Sequence, residues 1–172
     1  MSNLYHATTD LHHDAEKHPF GMRMAAGTLS RQEWTDWLGA MNQLHIVLDT
    51  YLPPSLKRAH DIHMDQLMML PLEPMYSMAA EKLVNSLVQP EMIGGLCYIL
   101  SGANLRGGQV IKRTLEPLGF PCNHLSFDKH DAVFANDWLK RLREATEVAE
   151  GAQKAFQGVI SIMDEIHLNG SK

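Results

Sequence analysis

Apolar residues recur at intervals of three and four along most of the chain, which is the spacing of one face of an α-helix. The first such run covers residues 3–15, where Leu4, Ala7 and Leu11 share the apolar stripe. Nowhere do apolar and polar residues alternate for long enough to predict a sheet. We therefore predict an all-α chain. Because no linker, repeat or low-complexity stretch divides the sequence, we expect one domain over residues 1–172.

Local signals predict where the later helices begin and end. Ser30 and Glu33 have the spacing of a capping box, in which each side chain accepts the other residue's backbone N–H. Pro53-Pro54 is expected to end the helix that this box opens. Residues 55–74 are the least regular part of the chain. The predicted helices are a short one ending near Gly27, a long one from Ser30 to Pro53, one over 74–88, one from Pro90 to about 118, a short helix or turn over 128–134, and a last long one from about Asn136.

Composition and charge narrow the classes of function. The net charge is −5, so the chain has no basic excess for neutralising phosphates, and we do not expect it to bind nucleic acid. No apolar run is long enough for a membrane span. Residues 1–6 lack the basic-then-apolar pattern of a signal peptide. Cys97 and Cys122 lie far apart without CxxC spacing, which is typical of reduced thiols in a cytoplasmic protein.

Residues 98–112, within the helix predicted from Pro90 to about 118, contain three glycines, Gly102, Gly107 and Gly108. Each glycine costs about 1 kcal/mol relative to alanine in a helix interior. Two interpretations explain such a cost. Either the helix packs closely against another helix, or a flat ligand lies against its backbone, where a side chain would fill the space.

His12 lies one turn before Glu16 on the first predicted helix. A carboxylate at this spacing is on the same helix face and is able to fix the imidazole ring, as the outer partners of metal-binding histidines do. His13 is expected to point elsewhere, into solvent. The spacing also fits an ordinary core or surface histidine, so on its own it leaves both interpretations open.

Two segments resemble the heme oxygenase family. Residues 7–16, Ala-Thr-Thr-Asp-Leu-His-His-Asp-Ala-Glu, resemble its proximal helix, where A-T-x-x-x-H-x-x-A-E carries the iron-binding histidine. Residues 98–112 resemble its glycine-rich distal helix. The first similarity extends to Asp49, and residues 138–142 and 153–156 match weakly. The resemblance implies a multihelical domain with heme between the proximal and distal helices.

The resemblance also implies a role for individual residues. His12 would bind the heme iron through a neutral imidazole nitrogen, with Glu16 beside it. Tyr98 would contact a propionate, and Phe156 would form part of the pocket wall. Basic residues suit the anionic propionates, and Lys140, Arg141 and Arg143 are the candidates by position. A solvated basic face is the alternative for these three.

The distal segment departs from the animal members of the family. Asn104 stands where they have an aspartate that organises water, and an amide offers both a donor and an acceptor for that purpose. Ala103 replaces a glycine, whose place Gly102 is expected to take. Arg106 replaces a small residue before Gly107 and Gly108, which shape the site. His45 stands where animal members have a tyrosine of the distal water network; it either takes that part or is a core histidine.

The implied activity is the cleavage of heme. Heme b would be both substrate and cofactor, and the reaction would consume O₂ and electrons from an external reductant, a ferredoxin or an NADPH-dependent reductase. The products would be biliverdin, CO and Fe²⁺. Two alternatives stay open: a heme-binding protein without enzymatic activity, for storage, sensing or transfer, and a helical enzyme that binds no heme, such as a thiaminase-like protein.

Overall fold

The computed structural model describes residues 3–145 and 147–172, and this part of the chain contains nine α-helices and no strand. The all-α prediction is confirmed. None of the helices in these two ranges has the length and apolar character that a transmembrane span requires. The helices are α1 Asn3–Lys17, α2 Pro19–Ala26, α3 Arg31–Leu48, α4 Ala59–Met68, α5 Met78–Ser86, α6 Pro90–Gly102, α7 Gly108–Leu115, α8 Lys129–Glu144 and α9 Val148–Gly170.

The caps of the first helices follow from their sequence. His18 Nδ1 accepts the backbone N–H of Phe20 at 3.1 Å, and Gly27 ends α2 in the left-handed conformation with φ of 71°. The capping box of α3 is confirmed, because Glu33 N donates to Ser30 Oγ at 3.1 Å and Ser30 N donates to Glu33 Oε2 at 2.8 Å. These caps satisfy amides that a helix start leaves unpaired.

The end of α3 differs from the prediction. The helix ends at Leu48, five residues before Pro53, so the proline pair is not what stops it. Instead, the Asp49 carboxylate accepts the backbone N–H groups of Arg58 at 2.9 Å and Ala59 at 2.8 Å. Arg58 is the N-cap residue of α4 and Ala59 is its first residue, and the Arg58 side chain makes no capping hydrogen bond. The contact therefore ties the end of α3 to the start of α4.

Two further boundaries lie away from their expected positions. The segment over residues 55–74 contains α4, and the helix predicted over 74–88 begins at Met78 because Ser77 caps it. The predicted boundary at Asn136 is wrong. Asp128 Oδ1 accepts Asp131 N at 2.8 Å and opens α8, which continues through position 136 without a break.

The pairing of α6 with α9 forms the centre of the fold. At their crossing a Cβ on Gly95 would overlap the backbone of Gly151, and a Cβ on Gly151 would overlap the backbone carbonyl of Glu91. Helices approach this closely only where side chains are absent. Around this pair, α1, α2, α3 and α5 pack against α9 and α8 packs against α6, while α4 packs against α3 and α7 against α2. The largest fully buried side chains include Trp34, Phe20, Leu38, Leu44 and Leu96.

Candidate functional site

The His12 imidazole lies on an exposed face of α1. Its Nδ1 is 3.3 Å from Glu16 Oε1, and the two side chains are 61% and 59% exposed. The structure gives the other ring nitrogen, Nε2, no hydrogen-bond partner among the described residues. The predicted pairing with Glu16 is present, and it leaves a nitrogen lone pair available for a ligand.

Phe156 distinguishes His12 from its neighbour His13. His13 is equally exposed, and its Nδ1 is 3.5 Å from Glu16 Oε2, so it shares the carboxylate that we assigned to His12 alone. The ring of His12, however, meets that of Phe156 on α9 edge-on, with centroids 6.0 Å apart. One turn away, Gln153 Nε2 donates to the Ala7 carbonyl at 2.8 Å and holds α9 against α1. The fold therefore brings together two residues that lie 144 positions apart and were both predicted to contact the ligand.

The glycine-rich segment forms a π-helical turn over Ala103–Gly107 between α6 and α7. Such turns occur frequently at functional sites. A Cβ added at Gly102 or Gly107 would meet no atom within 4 Å, whereas one at Gly108 would come within 2.8 Å of Leu125 Cδ2. The three glycines therefore differ: Gly108 packs closely against Leu125, whereas Gly102 and Gly107 border an open space, here called the groove.

Asn104 and His45 lie together inside the fold. Asn104 is 9% exposed and His45 is fully buried. The Nδ2 of Asn104 is 3.4 Å from Nε2 of His45, and Nδ1 of His45 is 2.9 Å from Asp49 Oδ1. Sequence reasoning missed Asp49, although its spacing of four from His45 on a helix is a recognisable signal.

Burial alone would raise the pKa of the Asp49 carboxyl. The hydrogen bonds from His45 and from the backbone amides of Ala59 and Arg58 favour the charged form more strongly, so its pKa lies below the ordinary value of 3.8. Asp49 is therefore a carboxylate at neutral pH. It offers acceptors to its neighbours and no donor.

A basic cleft lies between the distal segment and α8. Its volume is about 230 Å³, and its lining residues are Tyr98, Arg106, Asn136, Asp137, Leu139, Lys140 and Arg143. Two predicted propionate contacts, Tyr98 and Lys140, thus share one cleft. Arg141 does not line it and is exposed, while Arg106 and Arg143 do. The lining contains three cationic side chains and one carboxylate, that of Asp137, so its net positive charge suits an anionic ligand.

A buried histidine–aspartate pair holds the turn that packs against the glycine-rich segment. His124 Nδ1 lies 2.6 Å from Asp65 Oδ2, and both side chains are almost fully enclosed. Burial is the largest influence on His124 and holds its pKa below the ordinary value of 6.5, despite the opposing effect of Asp65. The pair fixes the turn that carries Leu125, which packs on Gly108 and accepts a hydrogen bond from Gln109 Nε2 at 2.8 Å.

No protein-family model and no curated protein matches this sequence. Solved structures do match it. Heme oxygenase-1 from the cyanobacterium Synechocystis sp. PCC6803, in complex with heme, has a TM-score of 0.81 at 17% identity, over 96% of this chain and 91% of that chain. Heme oxygenase-2 from the same organism, in complex with heme and NO, has a TM-score of 0.82 at 19% identity, over 95% and 83%. Heme oxygenase from Leptospira interrogans has a TM-score of 0.76 at 20% identity, over 94% and 97%. The predicted heme oxygenase-like fold is confirmed.

Proposed function

We propose that this chain, which has the heme oxygenase fold, is a heme oxygenase that cleaves heme to biliverdin, CO and Fe²⁺. The observation that carries the proposal is the open space beside Gly102 and Gly107, in a π-helical turn where any side chain would fill it. A flat ring lying against a helix backbone needs such a surface. The unengaged Nε2 of His12 supplies the donor that heme iron requires. The residues present therefore fit the group.

His12 would hold the iron through Nε2. For this the imidazole must be neutral, with its proton on Nδ1, and the negative charge of Glu16, whose Oε1 lies 3.3 Å away, favours a proton at that position. Phe156 supports the ring of His12 from α9. A neutral histidine, unlike a thiolate, would not push electron density towards O–O cleavage, which would suit oxidation of the heme ring itself.

The basic cleft would bind the propionates. Lys140, Arg106 and Arg143 provide the positive charge, and Tyr98 provides a hydroxyl donor. Of the three basic residues considered on α8, the cleft favours Lys140 and Arg143 over Arg141.

On the distal side, heme supplies the iron that activates O₂ and the ring that is oxidised. The chain supplies shape and polarity there. Gly102 and Gly107 leave room beside the backbone, while Gly108 anchors the segment on Leu125. Asn104, held by His45, would position a water molecule through its amide. No acidic side chain is then needed as the direct proton donor.

The proposed reaction needs O₂ and electrons from outside the chain, supplied by a ferredoxin or an NADPH-dependent reductase. We place it in the cytoplasm. Cys97 and Cys122 are free and buried, and burial raises the pKa of each thiol to about 12, so both remain unreactive thiols.

The test is aerobic turnover of the heme-loaded chain with a ferredoxin reducing system, in the presence of catalase to remove free peroxide. We expect the Soret band to disappear, biliverdin to accumulate and CO to be captured by added myoglobin. A Soret band that persists as a stable complex would mean a heme-binding protein without oxygenase activity. If heme does not bind, both functions are excluded in favour of a heme-free enzyme of this fold.

A further inference from the structure

Asp49 is anchored by the protein backbone on one side and by His45 on the other. Its Oδ2 accepts the N–H groups of Arg58 at 2.9 Å and Ala59 at 2.8 Å. Its Oδ1 lies 2.9 Å from His45 Nδ1. Because a carboxylate only accepts hydrogen bonds, the proton in this contact must belong to the imidazole.

This arrangement decides the other side of the His45 ring. In the neutral ring, a proton on Nδ1 leaves a lone pair on Nε2, which then accepts a hydrogen bond. The Asn104 Nδ2 amide, 3.4 Å away, is a donor and matches that requirement. The carbonyl end of the same amide, Oδ1, then points away from His45. It has no hydrogen-bond partner among the described residues, yet it is not enclosed by them, so it borders solvent.

We propose that Asp49 is a positioning residue that fixes the tautomer of His45 and thereby turns the carbonyl oxygen of Asn104 towards the open groove. The proposal rests on the proposed function in one respect, since it takes the groove beside Gly102 and Gly107 to be the heme site. An acceptor at this point is what an aspartate at position 104 would offer. The chain of hydrogen bonds from Asp49 through His45 to Asn104, here called the relay, makes the neutral amide of Asn104 present an acceptor to a ligand as well.

The substitution Asp49→Asn reverses the relay without changing its shape. The new side-chain oxygen still accepts the backbone amides at Arg58 and Ala59, so the junction between α3 and α4 is retained. The new NH₂ group donates to His45 Nδ1, which forces the ring proton onto Nε2. Nε2 then donates to Asn104, whose amide turns over and presents its NH₂ to the groove.

The first test is ¹⁵N NMR of the histidine side chains in the ligand-free chain, with the His45 signals assigned by their loss in His45→Gln. We expect a protonated Nδ1 and an unprotonated Nε2 in the wild type, and the reverse in Asp49→Asn. Asp36→Asn is the matched control, because Asp36 is a buried carboxylate on the same helix that accepts Met75 N at 2.9 Å and touches no histidine. It should leave the wild-type pattern unchanged.

A proton on Nε2 of His45 in the wild type would overturn the proposal, and so would an unchanged tautomer in folded Asp49→Asn. The wild-type spectrum stands by itself if the variant does not fold. It also needs no heme, so failure of the proposed function leaves this test intact.

The second test uses CO as a probe on ferrous heme-loaded protein. A donor turned towards bound CO lowers the C–O stretching frequency, so we expect a lower frequency in Asp49→Asn and no shift in Asp36→Asn. A reversed His45 tautomer with an unshifted C–O frequency would show that the relay ends before the groove and would overturn the role of Asn104.

Discussion

Replacing Gly107 by alanine should stabilise the ligand-free chain and weaken heme binding at the same time. Gly107 has φ of −61° and ψ of −37°, which is ordinary right-handed helical backbone, so alanine adopts it without strain. Its Cβ would meet no atom within 4 Å. The helix preference of alanine then contributes about 1 kcal/mol. For a domain of this size, that raises the midpoint of thermal unfolding by about 2–4 °C.

The added methyl group would occupy the groove that we assign to the heme ring. Overpacking by one carbon costs about 1–3 kcal/mol where neighbours cannot move away. A rigid porphyrin on a helix backbone is such a case, so the heme affinity should fall by about 5- to 150-fold. Thermal unfolding of the ligand-free chain measures the first effect, and a heme titration followed at the Soret band measures the second.

Gly108→Ala is the control, since it adds the same atom one residue later. Its Cβ would lie 2.8 Å from Leu125 Cδ2, so it would meet a side chain and not open space. We expect it to lose the gain in stability while the heme affinity stays within about twofold of the wild type, as for a position outside the site. The reasoning is refuted if Gly107→Ala destabilises the ligand-free chain, or if it stabilises the chain and binds heme as well as the wild type.

Three other predictions test separate parts of the account. Lys140→Met should weaken heme binding by about tenfold, because it removes one charge-assisted hydrogen bond. Arg141→Met is the control and should leave the heme affinity unchanged, since Arg141 does not line the cleft. Equal effects of the two substitutions in a heme titration would contradict the assignment of the cleft. Gly151→Ala should destabilise the chain by about 3 kcal/mol because its Cβ would overlap α6, and an unchanged urea midpoint would refute that contact. His124 has a pKa below 6.5 in the folded chain, so its contribution to stability is present above pH 6.5 and is lost as the pH falls below it. His124→Gln should therefore reduce the loss of unfolding free energy that occurs as the pH falls below 6.5, measured by urea titrations. An identical pH dependence of the unfolding free energy in the variant and the wild type would refute this.

Local chemistry predicted much of the helical framework. Ser30 and Glu33 lie three residues apart, so the capping box depends on nothing distant, and it forms as expected. The end of α3 was predicted wrongly because it depends on a distant partner. Asp49 binds amides nine and ten residues later, and no local pattern announces that contact.

The candidate site likewise contains some features that local sequence predicts and others that depend on distant segments. The pairing of His12 with Glu16 follows from helical spacing, and the structure shows it. The different neighbours of Gly107 and Gly108 do not follow from it, because the two glycines are adjacent and identical in type. Their difference depends on Leu125, which another segment brings against α7. The presence of Arg106 in the basic cleft likewise depends on how α8 packs against α6.

The central claim is that His12 holds the heme iron, and the absorption spectrum of heme-loaded His12→Ala tests it most directly. His13→Ala is a stringent control, because His13 is 60% exposed against 61% for His12 and shares the same Glu16. We predict that His12→Ala loses the spectrum of imidazole-ligated heme at neutral pH and regains it when free imidazole is added, whereas His13→Ala keeps the wild-type spectrum. A wild-type spectrum in His12→Ala would contradict the account.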